Sequence, residues 1–108
     1  MWRYKITNKY RNVWTEYNGI RYQSKKEAKR AQELDLLKKA KKVKTIVRQP
    51  KFEIEINGQH ICNYKADFKI IYSDDRIEYE DVKGIKTEIY KLKKKLVEVL
   101  YNIEIIEI

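Results

Sequence analysis

The 108-residue chain has one cysteine, one histidine, one proline and three glycines, and the scarcity of the metal-binding and cross-linking residues excludes two kinds of stabilisation. Cys62 has no second cysteine in the chain for a disulfide, and Cys62 with His60 supplies too few ligands for a structural zinc site. Both read as ordinary strand residues, Cys62 as a small buried hydrophobe. No stretch of about 18 apolar residues occurs, so no membrane span is expected. The amino terminus lacks the apolar core of a signal peptide, which makes a cytoplasmic protein the expectation. Internal repeats and low-complexity segments are also missing.

What is present is charge. The apolar fraction of 43% suits a globular fold, and the length suits one domain with one sheet and a few helices. The formal net charge of +9 is unevenly spread. Residues 1–50 hold 15 Lys/Arg against 4 Asp/Glu, residues 51–83 hold 5 against 8, and residues 84–108 hold 5 against 4. A basic shell attracts a polyanion by counterion release, while an acidic middle repels it unless a cation bridges the two. Lys-rich helices that are simply well solvated are the plainer account of the same counts.

Residues 1–22 read as a basic, aromatic arm, with Trp2, Tyr4, Tyr10, Arg11, Trp14, Tyr17, Arg21 and Tyr22 and a turn at Asn18-Gly19. Such an arm grips phosphates and stacks on bases, or packs its aromatics onto the core or a second subunit. Residues 23–108 read as a single domain. Ser24-Lys25-Lys26-Glu27 is a capping box that opens a helix to about residue 41. On that helix Ala28, Ala31, Leu34 and Leu37 form an apolar stripe, and Glu27 falls near its middle.

Pro50 ends any helix and starts an extended run. From Phe52 the period becomes two, and Asn57-Gly58 and Ser73-Asp74-Asp75 mark two hairpin turns, which makes the middle of the chain an antiparallel meander. Gly84 breaks the last of those strands. A second helix is expected from about Thr87 to Tyr101, with Ile89, Leu92, Leu96, Val99 and Leu100 as its buried stripe. Ile103 to Ile108 reads as a final, largely buried strand.

Register in the second hairpin decides the chemistry. An odd loop sets Asp67 across from Asp81 and puts Ile71, Ile77 and Tyr79 on the same face, whereas an even loop sends the two Asp to opposite faces. The odd loop is the expectation, with Lys83 two residues beyond Asp81 pointing the same way. Glu80 shares the other face with Glu78 and Val82 and is set aside as a ligand, while Asp74 and Asp75 are turn formers. Two or three carboxylates holding Mg²⁺, with a lysine beside them, polarise a phosphodiester, generate hydroxide and stabilise the leaving oxygen. Asp67, Asp81 and Lys83 supply that set, and Glu27 is the candidate third carboxylate, although capping alone also explains a Glu at that position.

Ala66-Asp67-Phe68 followed by Asp81-Val82-Lys83-Gly84 resembles the PD-(D/E)XK nucleases. More closely, the chain resembles a family of small phage-encoded proteins of that superfamily. The likeness runs through Asn8-Lys9-Tyr10, Thr15-Glu16-Tyr17-Asn18-Gly19-Ile20, Ser24-Lys25-Lys26-Glu27-Ala28, Gln49-Pro50-Lys51-Phe52, Tyr64-Lys65-Ala66-Asp67-Phe68 and Glu80-Asp81-Val82-Lys83-Gly84. Ala66 stands where the superfamily name has Pro, and Asp81 where many members have Glu.

The resemblance implies an α/β (α+β) restriction-endonuclease-like core: a mixed central sheet with an antiparallel meander, flanked by helices. It implies Glu27, Asp67 and Asp81 as metal ligands, Lys83 as catalytic lysine, Mg²⁺ as cofactor with Mn²⁺ able to substitute, and a homodimer acting on DNA. Branched, Holliday-junction-like DNA is the expected substrate, in the cytoplasm of the host cell if the protein is phage-encoded. The expected phosphate contacts are Arg3, Lys5, Lys9, Arg11 and Arg21 of the arm, Lys25 and Lys26 of the first helix, and Lys91, Lys94 and Lys95 of the second. The alternatives are a nucleic-acid-binding protein that keeps the nuclease fold without cleaving, and a phage protein aimed at a host factor.

Overall fold

The computed structural model describes residues 3–6 and 13–108, with side chains from residue 14 onward. Among these residues the elements run β1 (Arg3–Ile6), β2 (Val13–Tyr17), β3 (Ile20–Tyr22), α1 (Lys25–Lys39), β4 (Val43–Arg48), β5 (Lys51–Ile56), β6 (Gln59–Lys65), β7 (Phe68–Tyr72), β8 (Ile77–Asp81), α2 (Glu88–Tyr101) and β9 (Ile105–Glu107). The fold is mixed α+β with a mixed sheet. Among the described residues no helix is long and apolar enough to cross a membrane. Two compact units divide the chain, Met1–Val43 and Lys44–Ile108.

In the first unit β1, β2 and β3 form an antiparallel sheet. The β2–β3 turn needs two successive left-handed residues, which Asn18 (φ 52°) and Gly19 (φ 80°) supply at little steric cost. α1 begins where the capping pattern places it: the Glu27 N–H donates to Ser24 Oγ at 3.0 Å. Ala28, Ala31 and Leu34 are buried along one stripe, and Glu27 is buried with them. The helix packs on β2 and β3, with Tyr22 and Thr15 buried in this unit and the Tyr17 hydroxyl donating to Asp35 at 3.2 Å. The segment expected as an arm therefore contributes strands to this unit. Of its aromatics, Tyr17 and Tyr22 make structural contacts here, while the side chains of Trp2, Tyr4 and Tyr10 lie outside the described residues.

In the second unit the sheet order is β4-β7-β8-β9, with β7 and β8 antiparallel and β8 and β9 parallel. A parallel neighbour needs a long connection, and α2 provides it. β5 and β6 form a separate ribbon closed by Asn57 (φ 53°) and Gly58 (φ 77°). The expected meander is thus divided between two sheets, because the chain breaks at Ala66-Asp67. The break is stabilised by its partner break at Gln49-Pro50: the Gln49 N–H donates to the Asp67 carbonyl at 2.9 Å and the Ala66 N–H to the Pro50 carbonyl at 3.1 Å.

Phe52, Ile54, Tyr64, Ala66, Val97 and Ile105 form the buried cluster of this unit, with Cys62, Tyr79, Tyr90, Leu96 and Ile103 packed around it. Full burial of a side chain such as Ile54 or Ile105 stabilises by about 1.5–3 kcal/mol. The stripe expected on α2 is corrected here. Ile89, Leu92 and Val99 are 68%, 61% and 69% exposed and Leu100 is also exposed, while Leu96 is half-buried and Val97 is fully buried. The helix turns Tyr90 and Val97 to the cluster, about a third of a turn round from the expected face. Aromatic packing explains the choice: Phe52 meets Tyr79 at 5.2 Å and Tyr101 at 5.1 Å, both edge-on.

Candidate active site

The β7–β8 hairpin turns through three residues, Ser73, Asp74 and Asp75, between Tyr72 and Arg76, whose backbones are joined by a 2.9 Å hydrogen bond. Asp75 takes the left-handed conformation (φ 69°), and the loop is odd as expected. Phe68 pairs with Glu80, Lys69 with Tyr79 and Ile71 with Ile77. The ladder ends at that first pair, and the Asp67 N–H donates to the Glu80 carbonyl at 3.0 Å, which holds Asp67 at the start of β7 beside β8. Side chains alternate along β8, so Asp81 lies on the face that carries Ile77 and Tyr79, while Glu80 is buried on the face of Phe68 and Ile70.

Asp67 is held from beyond the strand end, where the Val82 N–H donates to its Oδ2 at 2.7 Å. Lys83 reaches back so that its ammonium lies 3.9 Å from Asp81 Oδ1. Asp81 has no exposed surface, and neither of its carboxylate oxygens has a hydrogen-bond partner among the described residues. Burial raises its pKa to about 6, against the opposing pull of the Lys83 charge and of the nearby Asp67 N–H. Burial also raises Asp67, offset by the Val82 N–H and by the charges of Lys83 and Arg48.

Sequence reasoning missed Arg48, Lys86, Tyr90 and Glu107. In the parallel register Asp81 pairs with Glu107, which brings a third acidic residue to the next strand on the same face. The Tyr90 hydroxyl donates to Glu107 Oε2 at 2.8 Å, and the Lys83 ammonium sits 5.0 Å over the Tyr90 ring. Lys86 at 3.2 Å and Lys94 at 3.7 Å flank Glu107. Hydrogen bonding by Tyr90 lowers the Glu107 pKa, whereas burial, that same bond and the nearby carboxylates raise Tyr90. The only sequence signal for Glu107 was the alternation of the last strand, and its parallel partner was not legible.

The remaining candidates are placed as follows. Glu27 belongs to the first unit, buried on α1. Among the described residues no group of three or more His, Cys, Asp or Glu side chains is arranged to hold a metal ion. Arg3 and Lys5 lie on β1, whose side chains are not described, and Lys9 and Arg11 lie outside the described residues. Arg21 is exposed with its guanidinium 4.8 Å over Trp14. Lys25, Lys26 and Lys95 are exposed, Lys91 is exposed and pairs with Glu88 at 3.4 Å, and Lys94 faces Glu98 and Glu107 rather than open water.

The chain belongs to the DUF1064 family, described as protein of unknown function, whose family model matches residues 7–106. No curated protein and no solved structure matches it.

Proposed function

With family membership assigning no reaction, we propose from the site that this chain is a Mg²⁺-dependent endodeoxyribonuclease. The observation that carries the reading is Asp81. A carboxylate without exposed surface is costly to ionise, and it sits beside a second carboxylate and a lysine. Hard oxygen donors of this kind suit Mg²⁺, and Mn²⁺ in its place. The residues fit the ion: Asp67, with its rotamer fixed by Val82, and Asp81 would hold it.

Bound there, the ion supplies charge neutralisation at the phosphodiester and a water of lowered pKa. Lys83, drawn to Asp81, donates to a non-bridging phosphate oxygen as negative charge develops and orients the attacking water. Arg48 adds positive charge on the Asp67 side. Glu27 lies in the first unit, buried with Ala28, Ala31 and Leu34, where its N–H caps onto Ser24. Lys25, Lys26, Lys91 and Lys95 contact phosphates beyond the reacting one. Branched DNA and a homodimer belong to the same proposal through the resemblance to the nuclease superfamily.

A second reading, a nucleic-acid-binding protein that does not cleave, is favoured by the lack of a three-carboxylate group among the described residues. One experiment separates the two. Incubated with branched and linear DNA, the protein is expected to cut branched DNA in Mg²⁺ or Mn²⁺ and not in chelator. Asp67→Ala and Lys83→Ala each lower the rate by on the order of 10²-fold or more. Full activity in either variant would refute the assignment, and binding that survives chelation with no cleavage in any metal would establish the second reading.

A further inference from the structure

Lys83 is carried by the connection Val82–Thr87, which belongs to neither β8 nor α2. A lysine has four rotatable side-chain bonds, and one on a connection is aimed only if something outside its own backbone holds it. Two groups do so in this structure: Asp81 Oδ1 at 3.9 Å and the face of the Tyr90 ring at 5.0 Å from the ammonium. Tyr90 is itself fixed at both ends. Its N–H donates to Thr87 Oγ1 at 3.1 Å in the cap of α2, and its hydroxyl donates to Glu107 on β9 at 2.8 Å. Glu107 in turn is held by Lys86 and Lys94.

We infer that Tyr90 is a positioning residue for Lys83, its ring face holding the ammonium beside Asp81 and its hydroxyl fixing the plane of that ring through Glu107. The inference rests on the nuclease reading for its catalytic consequence but not for the contact itself. It gives the half-buried tyrosine in the first turn of α2, whose ring lies 6.3 Å from that of Tyr64, a task beyond packing. It also gives Glu107 a task other than holding metal: anchoring β9 to the ring that aims the lysine.

The test uses Tyr90→Phe, which keeps the ring and loses the hydroxyl, and Tyr90→Leu, which loses both. NMR of the full chain labelled at lysine reads the contact directly. The Lys83 ε-protons are expected to be shifted upfield by the ring in wild type and in Tyr90→Phe, and to lose that shift in Tyr90→Leu. Cleavage of branched DNA in Mg²⁺ reads the consequence. Tyr90→Leu lowers kcat by on the order of 10²-fold with KM within about twofold, and Tyr90→Phe recovers most of the loss.

Unshifted Lys83 ε-protons in wild type overturn the inference, as does a wild-type kcat in Tyr90→Leu. Equal loss in the two variants overturns the role given to the ring. A wild type with shifted protons that cleaves no DNA in either metal overturns the nuclease reading, and with it the catalytic role of Tyr90, while the shift still confirms the contact.

Discussion

A carboxylate without exposed surface, as at Asp81, holds its proton more tightly than one in solution. Its folded pKa of about 6 lies above the ordinary value of 3.8, so the folded chain binds this proton more strongly than the unfolded chain. The stability contributed by that proton is present below pH 3.8 and is lost as pH rises through about 6. Asp67 shifts in the same direction. In metal-free buffer at pH 7.5, Asp81→Asn is therefore expected to be more stable than wild type by about 2–3 kcal/mol in urea unfolding. The two proteins converge near pH 4. Millimolar Mg²⁺ raises the wild-type melting temperature and leaves that of Asp81→Asn unchanged, because only the wild type gains by binding. Equal stability of the two at pH 7.5 would show that Asp81 is not a strained carboxylate.

Among the elements, α2 carries apolar residues on two faces and covers only one of them. Tyr90 and Val97 enter the cluster, whereas Leu92 and Val99 stay in water. Val97→Ala is expected to cost about 1–3 kcal/mol in chemical denaturation, and Leu92→Ser or Val99→Ser no more than about 0.5 kcal/mol. The reverse order would restore the face read from hydrophobic spacing. Spacing failed here because aliphatic residues outnumber tyrosines on α2, while the surface it packs on is aromatic, built from Phe52, Tyr64 and Tyr79. At its start the helix behaves as its sequence indicates: Thr87 caps the Tyr90 N–H, and Thr87→Ala should cost about 1 kcal/mol.

Across the whole molecule, charge is the dominant property. A net +9, concentrated in residues 1–50, predicts binding to DNA that weakens steeply with salt. Measured in chelator, affinity should fall on the order of 10³-fold between 50 and 200 mM salt if about six phosphates are neutralised. Lys91→Ala and Lys95→Ala should each flatten the salt slope by about one. Affinity independent of salt would remove nucleic acid as the partner.

The sequence by itself determined the features that depend on neighbours a few residues apart. The Ser24 cap follows from a hydroxyl three residues before an N–H, and the two Asn-Gly turns from left-handed backbone. The parity of the Ser73-Asp74-Asp75 loop was an expectation that turn residues alone do not fix, and the structure has the odd form. Only the tertiary structure decided what depends on residues far apart. It divided the meander at Ala66-Asp67, paired Asp81 with Glu107 through a parallel strand, and turned Tyr90 toward Lys83. Those choices are set by which surfaces bury together, and burial is a property of the packed chain that no local spacing encodes.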